Sequence, residues 1–190
     1  GGTATYFKLD GSHTETVFSE SARFDDSKEA RFGVSSDLKI YHNGSNSYIQ
    51  QQGTGSLYIM NTTNDKDIIF ISDDGSGGET AYLTLDGSAT QTLVHKHMNF
   101  DDAISARFGG GGDMHLLHDG SNSHVVNYVG DLKITNNAND KDIIFNCDDG
   151  SGGNTAYLTL DGSASQILIA KETVFGDSIP GSFGAGRDLR

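Results

Sequence analysis

The sequence predicts an all-β chain, and three observations carry that expectation. A block starting at Asn64, "NDKDIIFISDDGSGGETAYLTLDGSATQ", recurs from Asn139 as "NDKDIIFNCDDGSGGNTAYLTLDGSASQ". Apolar residues within the repeat alternate with polar ones at a period of two, which is the period of a strand. Each alternating run stops at a turn signal, most often an Asn-Gly or Asp-Gly pair, the signature of a tight hairpin, and no stretch has a helical pattern of useful length.

The repeat fixes the organisation. "ARFGVSSDLKIYHNGSNSYI" from Ala30 returns from Ala106 as "ARFGGGGDMHLLHDGSNSHV", and Phe32, Phe108 and Phe183 hold the same place, giving steps of 76 and 75 residues. Leu9 matches Leu85 and Leu160, and Phe24 matches Phe100 and Phe175. The chain therefore divides into the end of a preceding module (1–29), two complete modules (30–105 and 106–180) and the start of a further one (181–190). This organisation is expected of a segment of a longer array.

The elements follow in order. Leu38 and Ile40 alternate with Lys39 and Tyr41 and stop at "NGS" from Asn43. Leu57 and Ile59 alternate with Tyr58. "DIIFI" from Asp67 is a continuous apolar run, which suggests a strand covered on both faces. "SDDGSGG" is expected to turn the chain into the next strand, where Leu83 and Leu85 alternate with Tyr82 and Thr84 before "DGS" at Asp86. The second module repeats the stops at Asp119, Asp149 and Asp161. Asp-Gly and Asn-Gly are expected to supply positive φ at each stop.

A module of six or seven short strands, each with two or three inward apolar side chains, is short of core. Stacking modules into a single-chain β-solenoid is one remedy. The other is an intertwined homotrimer that shares one core and covers its sheet edges. Solenoid coils are usually about 20–30 residues long, so a 75-residue unit favours the elongated, trimeric repeat fibre.

Composition excludes other classes. The formal charge is -13 and the pI about 4.6, which argues against nucleic acid or an anionic membrane as partner. No apolar run reaches the roughly 20 residues of a helical span, and no signal peptide is recognisable. Hydrophobic residues make up 35 %, too many and too regularly placed for a disordered chain. Cys147 is the sole cysteine, so an intrachain disulfide and a multi-cysteine metal site are excluded. It aligns with Ser72, so the repeat does not require a thiol. No Ser/His/Asp constellation recurs between modules, and no enzymatic role is expected.

"ARFG", "DLKIYHNGSNSYI" and "GTGSLYI" together resemble the repeated modules of tail-fibre and other virion structural proteins of tailed phages, marine ones especially. The resemblance runs from Ala30 to Phe175, and "DLKIYHNGSNSYI" is its most specific part. It implies a trimeric β fibre, an extracellular virion appendage that partners other virion proteins and extends a host-recognition tip. The alternative is a repeat adhesin that binds host cell-surface glycans through its outer β face.

Three groups of residues are candidate sites. Asp73 and Asp74, with Asp148 and Asp149, offer oxygens to Ca²⁺, although no glutamate stands where an EF-hand needs one and a turn is the plainer role. His95 and His97 share a face if their segment is a strand. Three chains meeting there on a threefold axis would then offer six imidazole nitrogens to a transition metal, and some phage fibres carry such H-x-H sites. The equivalents Ala170 and Glu172 lack the imidazoles. Tyr41, Tyr48, Tyr58 and Tyr82 fall on the outer face, where rings stack on sugars; "MHLLHDGSNSHV" replaces the first two in the second module. His115, His118 and His124 cluster only there, and alternation sends His115 and His118 to opposite faces. No other cofactor is expected.

Overall fold

The structure, a computed structural model, describes residues 6–178, so the expected start of a further module at 181–190 lies outside the described residues. Among the described residues there are fourteen strands and no helix. β1 (Phe7–Asp10) pairs with β2 (Glu15–Phe18). β3 (Glu29–Phe32), β4 (Leu38–His42) and β5 (Ser47–Gln51) form a three-stranded antiparallel meander, as do β6 (Ile68–Asp73), β7 (Glu79–Asp86) and β8 (Gln91–Val94). The second module repeats both meanders as β9 (Ala106–Phe108), β10 (Met114–His118) and β11 (Ser123–Asn127), then β12 (Ile143–Asp148), β13 (Asn154–Asp161) and β14 (Gln166–Ile169).

The chain divides into two compact units, Gly1–Met98 and Asn99–Arg190, so the division lies upstream of the repeat boundary at 105/106. Hydrogen bonds account for the difference. Ala103 N–H donates to the His118 carbonyl at 2.7 Å, tying the turn before β9 to the end of β10, and Ser27 N–H does the same to His42 at 2.8 Å.

Register assigns the faces, because directly opposed residues of an antiparallel pair share one. In the β3–β5 sheet, Ala30, Ile40 and Ile49 lie in one row and Phe32, Leu38 and Gln51 in the next on the same face. The opposite face carries Glu29, Arg31, Lys39, Tyr41, Tyr48 and Gln50. Its polar groups satisfy one another. Arg31 Nε lies 2.6 Å from Glu29 Oε2 and Lys39 Nζ 3.3 Å from it. Desolvation of Glu29 works against ionisation, but the two cations outweigh it and hold the carboxyl below its usual range.

In the β6–β8 sheet, Ile68, Leu85 and Thr92 share a face with Phe70, Leu83 and Val94; Ile69, Thr84 and Leu93 lie on the other. The equivalents Ile143, Leu160, Ile167, Phe145, Leu158 and Ile169 make an apolar face without exception. Phe7, Leu9 and Phe18 place the same face on the β1–β2 hairpin, with the two rings 6.0 Å apart.

These faces have no cover. No apolar side chain among the described residues is buried, and Thr84 alone falls in the buried class. Strands pair only within their own sheets, and within each unit no apolar face is buried by another element. The cover expected on both faces of "DIIFI" is not supplied within the chain's own unit: Ile69, Phe70 and Ile71 are exposed. The run is apolar on both faces, and neither face is covered within its unit. The run around Leu57 and Ile59 also differs from expectation. It forms no ladder, leaving six strands per module.

Candidate functional site

The "SDDGSGG" segment is a turn built from its own carboxylates. Asp74 Oδ1 accepts from Ser76 N–H at 2.7 Å, from the Ser76 hydroxyl at 2.8 Å and from Gly78 N–H at 3.1 Å, while Asp73 Oδ1 accepts from Gly75 N–H at 2.7 Å. Asp148 and Asp149 repeat the pattern with the same partners, Gly150, Ser151 and Gly153. Gly75 and Gly77 sit at φ of 84° and 92°, where a side chain is strained. One oxygen of each of the four expected calcium ligands is thus committed to the backbone. The turn delivers β6 into antiparallel pairing with β7.

Tyr82 belongs to this turn. It is the extra residue of a β-bulge, since Phe70 faces Leu83 and Ile71 faces Ala81. The bulge re-aims its ring, and its hydroxyl donates to the Asp73 carbonyl at 2.9 Å. Tyr157 makes the same bond to Asp148. Tyr82 therefore has a structural partner that its sequence did not announce.

The "LDGS" turns use glycine differently from the expectation. Positive φ falls at Thr90 and Ser165 rather than at Gly87 and Gly162. Gly87 is required by close approach: a Cβ there would stand 2.5 Å from the Lys66 carbonyl oxygen, and Gly162 meets Lys141 in the same way. Each glycine N–H donates at 3.0 Å to the carboxylate opposite, Asp67 or Asp142. The repeated "KD" and "DG" pairs are two halves of one contact.

The remaining candidates are dispersed. Tyr41 and Tyr48 stack on the polar face with centroids 4.8 Å apart, and Tyr41 donates to Gln50 Oε1 at 3.2 Å. Tyr58 lies outside any strand and is 76 % exposed. His95 follows β8, with a ring nitrogen 2.9 Å from the Thr84 hydroxyl. The strand ends at Val94 and the chain bends at Lys96, so the alternation expected to align His95 with His97 does not extend to them. His115 and His118 do lie on opposite faces of β10. His115 meets Tyr128 edge-on at 5.1 Å, and His124 contacts Asp119 at 2.8 Å. Backbone donors from Asn122 and Ser121, with His124 between them in weight, hold Asp119 well below the usual carboxylate range.

One cluster escaped sequence reading. Asp10, His13 and Glu15 bring ligand-type atoms within 4.8 Å of one another at the β1–β2 turn. Lys8 also contacts Asp10, at 2.8 Å, and the equivalents of His13 are Ala89 and Ala164. The group is neither repeated nor free of a competing cation. No family model, curated protein or solved structure matches the chain.

The turn carboxylates set a pH dependence. Hydrogen bonds from Ser76 and Ser151 lower Asp74 and Asp149, and those from Ala89 and Ala164 lower Asp86 and Asp161, in each case from 3.8. A depressed folded-state pKa contributes stability that is complete above the unfolded value and is lost as pH falls through the folded one. Melting temperature should therefore be flat above about pH 5 and fall below about pH 4. Asp74→Asn with Asp149→Asn should lower the plateau and flatten the acid limb; an unchanged limb would place the acid sensitivity elsewhere.

Proposed function

We propose that this chain is part of the shaft of a phage tail or virion fibre, in which three copies share the apolar faces that each leaves open. The observation that carries this reading is the absence of any buried apolar side chain among the described residues, although each module presents a continuous apolar sheet face. The chain exposes 15950 Å². Two globules of half its mass each expose about 10,600 Å² in all. The excess, roughly 5,000 Å² per chain, matches a large obligate interface.

Such a chain gains its stability on assembly, and adding modules adds length. The polar face of the β3–β5 sheet suits the outside, because its charges and tyrosines are already paired with one another. The stacked Tyr41–Tyr48 pair is the observation that favours an adhesin reading. It is absent from the second module, where Leu117 and His124 stand instead. A repeated glycan platform would need it twice.

Sedimentation velocity and a glycan array together test the assignment. A shaft is expected to sediment as an asymmetric assembly and to be retained by no glycan. Glycan capture that is abolished by Tyr41→Ala would replace the shaft with the adhesin.

A further inference from the structure

We propose that residues 56–60 and 131–135 are the strands by which one copy of this chain pairs with the next, adding to the free edges of β6 and β12 in a second copy. This rests on the shared-core reading above and makes it specific. Both segments alternate as strands do, Leu57 and Ile59 about Tyr58, and Leu132 and Ile134 about Lys133. Neither has a backbone hydrogen bond to any described residue. Their apolar side chains are exposed, Ile59 by 59 % and Ile134 by 64 %.

Burial of Leu57 and Ile59 in a shared core takes the adjoining N–H and C=O groups out of water, where each must find a partner. The chain itself supplies none, so the partner is an edge on another copy. Sheet edges are usually blunted by charge, proline or short length. β3 carries Glu29 and Arg31 on its edge, and β5 and β8 are shorter than β6; β6, the longest edge strand of its module, offers Ile68 to Ser72 without a charge or a proline, and its outer side is unpaired. β12 offers Ile143 to Cys147 in the same way.

The spacing identifies the occupant. Leu57 and Leu132 are 75 residues apart, and so are Ile68 and Ile143. Whatever covers one module must therefore recur at the same interval to cover the next. A second copy of the chain meets both requirements in one register, and the roughly 5,000 Å² of surplus surface is ample for it.

Hydrogen exchange on the full chain, read by mass spectrometry alongside solution mass, tests the proposal. In the assembled protein the amides of 57–60 and 132–135 should exchange about 100-fold or more slowly than in an unpaired chain. Tyr58→Pro with Lys133→Pro, which an unpaired extended segment tolerates, should remove that protection and expose β6 and β12. A trimer whose 57–60 and 132–135 amides exchange freely would overturn this pairing and leave the shaft intact. Protection in a chain of single mass would overturn both, by placing the strand within one molecule.

Discussion

Replacing Phe70 and Phe145 together by Asp is expected to convert the proposed three-copy assembly into single chains. The two rings occupy equivalent places on the apolar faces of the β6–β8 and β12–β14 sheets, and each is 46 % exposed in the isolated chain. Burying the exposed part of each ring contributes about 1 kcal/mol. Two positions in three copies thus supply about 6 kcal/mol. The substitution also brings six carboxylates into apolar surroundings, where unpaired charge is far more costly than lost contact. Within each chain the strands should survive, because neither ring is part of a buried cluster. Gln50→Asp, on the polar face of the β3–β5 sheet, is the matched control and should leave the mass unchanged. A Phe70/Phe145 variant that keeps its full mass would show that these faces are not the interface.

The second large effect is expected at Gly87 and Gly162. A methyl group at either position meets a main-chain carbonyl, of Lys66 or Lys141, that has no flexible end to move aside. Overpacking of this kind costs about 1 to 3 kcal/mol, and it also draws the glycine N–H from the Asp67 or Asp142 carboxylate. Gly110 has no such neighbour, since a Cβ there would meet nothing within 4 Å. Thermal melting should therefore fall for Gly87→Ala and Gly162→Ala and stay level for Gly110→Ala. Equal effects at all three would mean that the loss does not come from the Lys66 and Lys141 contacts.

Much of this fold was legible in the sequence because its information is local. The alternation of Leu38 and Ile40 with Lys39 and Tyr41 places them correctly on two faces, and "SDDGSGG" turns where its aspartates and glycines require it. What the sequence concealed depends on partners distant along the chain or outside it. Gly87 resembles any Asp-Gly turn residue until Lys66, about a strand pair away, is seen behind it. Tyr82 reads as one more outward tyrosine, because a bulge moves one residue out of an alternation that otherwise continues. Leu57 and Ile59 have a strand's pattern without a strand's neighbour, since periodicity reports which side a residue faces and not what lies beside it. "DIIFI" is silent for the same reason: two apolar faces call for cover, but the pattern does not say what supplies it. The His95–His97 expectation relies on a strand running through His97, three residues beyond the end of β8.

The shared apolar face is the centre of this account, and the solution mass of the chain by multi-angle light scattering tests it most directly. A shared face predicts three times 20.2 kDa at micromolar concentration, falling to one copy in the Phe70/Phe145 variant. A wild-type chain of 20.2 kDa that melts cooperatively would contradict it, because a single copy would then be stable without any cover for its apolar faces.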